Sequence, residues 1–154
     1  MKQTRELDLV QQEMRPGVIT QDGFLGTDTR QLVEILTDDE AAVQRLGLTH
    51  ARIADRMREL RQAGRRGLGL AVSVPPCFEV TVDGVRGRLP CPFHGGTLPK
   101  INTTVVNTRL KESVTYTDLH IHMIARHGFY EGRGSPYRLD PARLAEALEI
   151  PREE

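Results

Sequence analysis

The sequence predicts an α+β protein, with a helical N-terminal half followed by a half that contains strands, a β-hairpin and further helices. Three observations lead there. Up to residue 64 apolar residues recur at helical spacing. After residue 68 the period changes to alternation. The stretch Phe78-Glu79-Val80-Thr81-Val82, Asp83-Gly84, Val85-Arg86-Gly87-Arg88-Leu89 carries the two-residue Asp-Gly signal of a type I′ hairpin. On this reading residues 1–70 form a helical region and residues 71–154 an α+β region built on hairpin 78–89.

The 154 residues fit one domain or two small ones, and 21 basic against 21 acidic side chains leave no net charge. A neutral whole argues against a chain that lives on phosphate backbone, whose affinity comes from clustered cations. The distribution is uneven, however. Residues 1–49 hold 5 basic and 9 acidic side chains, residues 50–100 hold 9 and 4, and residues 101–154 hold 7 and 8. A local basic patch in the middle is therefore compatible with the balance. No apolar run approaches the roughly 20 residues that span a bilayer. The start MKQTRELDLVQQEM is charged throughout, without the apolar stretch of a secretory signal, so a cytoplasmic chain with two reduced cysteines is expected.

The elements follow from local signals. Leu7, Val10 and Met14 mark a helix over residues 3–14, stopped by Pro16-Gly17. Residues 17–27 read as loop. A helix capped at Thr27 or Asp28 runs to about Leu36, and Thr37 with Glu40 has the spacing of a capping box that restarts a second helix to about Leu46. Thr49 caps a third helix with Ile53, Met57 and Leu60 as its buried stripe, closed at Gly64. Leu70–Val74 and Ile101–Thr108 read as strands. In the expected hairpin Val82 faces Val85, Val80 faces Gly87 and Phe78 faces Leu89. Residues 118–127 suit a helix with Thr117 or Asp118 as N-cap and Gly128 past its end. Asp140-Pro141 opens the last helix, which Pro151 stops.

Two constellations bear on function. In residues 38–63 a helix, a glycine turn and a longer basic helix succeed one another. Through Leu46-Gly47-Leu48-Thr49, the buried Ile53, and Arg58-Glu59-Leu60 with Ala63-Gly64, this stretch resembles the helix-turn-helix of winged-helix regulators. That resemblance implies a second helix in the major groove and a hairpin wing. It nominates Arg52, Arg56 and Arg58 on the helix, and Arg86 and Arg88 on the wing, as DNA contacts.

The second constellation gathers cysteine and histidine. Cys91-Pro92-Phe93-His94 is a CxxH knuckle, and His122 and His127 follow as HxxxxH. Thiolate and imidazole are preferred zinc donors, so Cys91, His94, His122 and His127 form the expected ligand set. The hairpin register directs Cys77 and Cys91 to opposite faces, which argues against a bridge between them.

As a strand, Asp118-Leu119-His120-Ile121-His122 resembles the HxH that opens the amidohydrolases. Only 32 residues follow His122, too few to complete such a barrel. As a helix, His120 and His122 stand about 160° apart at 100° per residue and cannot share an ion. His120 then shares a face with His127, and the chelating pair is His122 with His127 or His120 with His127.

There is no GxSxG, Walker A or strand–GxGxxG–helix signature. The expected function is thus binding or regulation through DNA or a protein partner, without catalysis, around a structural zinc site. A small metal-dependent hydrolase using His120, His122 and His127 is the alternative. The oligomeric state is open, a homodimer among the alternatives.

Overall fold

The computed structural model describes residues 2–152. It is a mixed α/β structure with five α-helices and one four-stranded antiparallel sheet. The helices are α1 (Arg5–Glu13), α2 (Leu32–Arg45), α3 (His50–Gly64), α4 (Asp118–His127) and α5 (Pro141–Ala147). The strands β1 (Val72–Val74), β2 (Phe78–Pro90), β3 (Thr97–Asn107) and β4 (Glu112–Thr117) lie side by side in chain order.

The caps read at Thr49, Thr117 and Asp140 are present, and Thr4 adds one. The cap expected at Thr27 or Asp28 is not, because α2 starts at Leu32 behind Gln31, which makes no side-chain cap bond, while Asp28 accepts from Arg30 instead. Thr4, Thr49, Thr117 and Asp140 each accept a hydrogen bond from a backbone N–H in the first turn of α1, α3, α4 and α5. Thr37 behaves differently. Its hydroxyl donates back to Val33 O at 2.7 Å, four residues earlier, so no helix restarts there. The two short helices expected over 28–46 are one continuous α2.

The hairpin expected at 78–89 is also corrected. Asp83-Gly84 lies within β2, which runs on to Pro90 and turns only at residues 91–96. Val82 pairs with Thr103 and Gly84 with Ile101, with a register shift between Gly84 and Arg88 where Gly87 takes φ +107°. The longer pairing wins because it joins ten residues of β2 to β3. It also places Phe78, Val80, Val82 and Val105 in the core shared with α3. A hairpin closed at Asp83-Gly84 pairs two short strands and leaves β3 without that partner. Arg86 and Arg88 therefore lie on the bulged end of β2, not on the far arm of a wing.

Gly64 shows how closely α3 meets the sheet: a Cβ there lies 2.5 Å from a Val80 methyl and 2.8 Å from one of Val82. The larger apolar cluster contains Val43, Ile53, Met57, Leu60, Tyr116 and Leu148 among others. Tyr116, fully buried, donates its hydroxyl hydrogen to Met57 O at 2.8 Å. A second cluster joins Val10 and Met14 of α1 to Cys91, Leu119, Met123 and Phe129. That second cluster carries the β2–β3 turn against α4.

Glu149, just past α5, anchors the chain end. It accepts hydrogen bonds from the Cys77 thiol at 3.0 Å and from Asn107 at 2.9 Å, and pairs with Arg109. The Cys77 and Asn107 donors, then Arg109, hold its carboxyl down at about 2, against burial. The folded value lies below the unfolded one near 4.5. This contribution is therefore complete above pH 4.5 and is lost as pH falls toward 2. Glu149→Gln should flatten the acid limb of a pH–stability profile in that window. An unchanged limb contradicts the role.

Among the described residues no helix is long and apolar enough to cross a membrane.

Candidate metal centre

The β2–β3 turn delivers the thiol. Cys91 N–H donates to Gly96 O at 2.8 Å and His94 N–H to Cys91 O at 3.0 Å, so residues 91–96 close on themselves and Cys91 points into the second cluster. Helix α4 delivers two imidazoles. Its orientation is fixed at the N-terminal end by Arg61 of α3, which grips Asp118 bidentately at 2.6 and 2.9 Å. Its other end stops at Gly128, in the left-handed conformation with φ +63°.

Ligand atoms of Cys91, His122 and His127 all lie within 4.8 Å of one another. The two rings meet edge to face with centroids 5.6 Å apart. Phe93 stacks on His127 at 4.3 Å and meets Phe129 edge-on, so the group has an aromatic wall. The Nε2 atoms of His122 and His127 are both buried and have no hydrogen-bond partner. Two orphaned imidazole nitrogens beside a thiol are costly unless something fills the space between them. Burial, reinforced by Arg126 and Arg58, pushes the His122 pKa down; burial, then His122 and Arg126, does the same for His127. Both shifts favour the neutral ring, the form in which an imidazole binds a cation.

The space between them is preserved by Gly95. A Cβ on that residue lies 2.6 Å from His122 Nε2 and 3.3 Å from His127 Nε2. One thiol and two imidazoles, converging across a gap that only a glycine leaves clear, are a donor set that can hold a metal ion.

His94 does not join this group. Its ring is largely exposed, with Nε2 3.7 Å from Glu13 Oε1 at the end of α1. His120 lies about 160° around α4 from His122 at 100° per residue. Its phase is that of His127, yet its ring turns to Glu131 and stays out of the group. Thr117 N–H donates to His120 Nδ1 at 3.0 Å, so the ring proton sits on Nε2 and is donated to Glu131 Oε2 at 2.6 Å. Glu131 also accepts from Ser135 at 3.0 Å. Both His120 nitrogens are thus engaged, and the three-histidine hydrolase set does not assemble. His50 bridges Glu40 and the Tyr130 hydroxyl at the start of α3. Both cysteines are free and buried, in different clusters.

The arginines nominated for DNA divide. Arg56 is drawn inward, donating to Leu148 O at 3.1 Å and lying over the Phe78 ring. Arg58 pairs with Asp55 on the surface, and Arg88 donates to Thr97. Arg52 and Arg86 make no side-chain hydrogen bond with another described residue. A groove of about 300 Å3 between α3 and α4 is bordered by Arg58, Arg61, Asp118 and His122. Sequence reading omitted β4 and the Arg138–Asp39 pair. For β4 the alternating Glu112-Ser113-Val114-Thr115-Tyr116 was the available signal.

No protein-family model, curated protein or solved structure matches the chain.

Proposed function

We propose that this chain is a non-catalytic binding or regulatory protein in which zinc, held by Cys91, His122 and His127, fastens the β2–β3 turn to α4. The observation that carries the reading is the pair of buried, unpartnered Nε2 atoms facing a buried thiol. Zinc is the first-row ion best matched to one thiolate and two imidazoles without redox chemistry. Bound there, it supplies a cross-link between segments some thirty residues apart in sequence, which is a structural role. The hydrogen bond from His120 to Glu131 favours this reading over the three-histidine hydrolase. The partner-facing surface we assign to the outer side of α3, where Arg52 and Arg58 offer guanidinium groups to an anionic partner such as DNA.

A ligand that binds only the folded chain stabilises it by about 4 kcal/mol at a thousandfold excess over its dissociation constant. Zinc-loaded protein should therefore melt well above chelator-treated protein, and added zinc should restore the higher midpoint. Coincident melting curves contradict the proposal.

A further inference from the structure

We infer that His94 is a fourth, exchangeable metal ligand, moving between Glu13 on α1 and the ion held by Cys91, His122 and His127. The inference rests on the zinc reading above and extends it to the closure of the site.

Three observations lead to it. First, the Cys91–His94 backbone hydrogen bond of 3.0 Å makes residues 91–94 a β-turn, whose end Cα atoms lie within about 7 Å. Second, the next residue, Gly95, already sits on the site, since a Cβ there touches His122 Nε2 at 2.6 Å. Successive Cα atoms are about 3.8 Å apart, so the backbone of residue 94 is one step from the ion's position, within reach of an imidazole that rotates about its own side-chain bonds. Third, His94 closes this turn with φ +63°, and its side chain is 65 % exposed, so the ring is free to turn. The competing contact with Glu13, 3.7 Å long between exposed groups, holds the ring only weakly.

A tetrahedral zinc site closed by four protein ligands is structural, whereas three ligands leave a position for water. Ligation by His94 therefore decides which kind of site this is. It also couples the metal to α1, because the ring leaves Glu13 as it joins the ion.

Cobalt(II) binding to the full chain, followed by visible and near-ultraviolet absorption, tests this. His94→Ala should weaken cobalt affinity by at least about tenfold, the smallest loss that even an outer-shell partner of a ligand causes. His94→Cys should restore affinity and raise the thiolate-to-cobalt charge-transfer intensity toward twice that of the parent. If the parent and His94→Ala bind cobalt equally, or His94→Cys shows the intensity of one thiolate, the His94 assignment is overturned while the three-residue site stands. If the parent binds no cobalt, both fall.

Discussion

Arg138→Ala is expected to cost about 3–5 kcal/mol of folding stability, the range for stripping one partner from a buried ion pair. Arg138 meets both oxygens of Asp39, at 3.0 and 2.9 Å, and Asp39 is only 4 % exposed. Alanine leaves that carboxylate without its cation in a place water hardly reaches. The same guanidinium donates to Glu131 O at 2.7 Å, so the loop after α4 loosens as well. That loop holds the Glu131 carboxylate against His120, and with it the N-terminal turn of α4. Replacing both members of the pair by apolar residues of similar volume should be far milder than either single change. Urea unfolding of the three variants checks this. A loss below about 1 kcal/mol in Arg138→Ala, the worth of an exposed pair, contradicts it.

Gly95→Ala should abolish metal binding while leaving the fold intact. The backbone of Gly95 lies outside the left-handed region, so an alanine meets no conformational strain there. Its methyl, however, arrives 2.6 Å from His122 Nε2 and 3.3 Å from His127 Nε2, in the space the ion needs. An affinity loss of about 100-fold or more is expected, at the upper end of what even outer-shell changes produce. Gly96→Ala is the matched control. Gly96 has φ +92° and nothing within 4 Å of a Cβ, so alanine there strains the turn without entering the site. Metal titration with circular dichroism of both variants separates the two effects. Equal metal affinity in Gly95→Ala and the parent contradicts the position given to the ion.

The helices were the legible part of this chain, because caps and apolar stripes act locally. Thr49, Thr117, Gly128 and Asp140 stop and start helices in the structure where their chemistry says they should. Strand pairing was less legible. Asp83-Gly84 has the right composition for a turn, but pairing with β3 buries more apolar surface, and Gly87 absorbs the mismatch. The sign that the turn lies later is Pro92 with Gly95-Gly96, glycines common enough in loops to carry little weight alone. The metal group was legible in residue type and in three of its four expected members. Helical phase separated His120 from His122, but it also set His120 beside His127, whereas the structure brings His122 and His127 together and turns His120 to Glu131. No sequence pattern shows that His94 turns toward Glu13, or that Gly95 lies over both imidazoles, because those facts depend on the tertiary path of six residues.

The most direct test of the metal centre is the elemental content of freshly purified protein, compared with Cys91→Ser and with His122→Ala/His127→Ala. About one zinc per chain in the parent, strongly reduced in both variants, is the expected result. A parent without bound metal, or variants that keep the parent's zinc, would show that Cys91, His122 and His127 do not hold it.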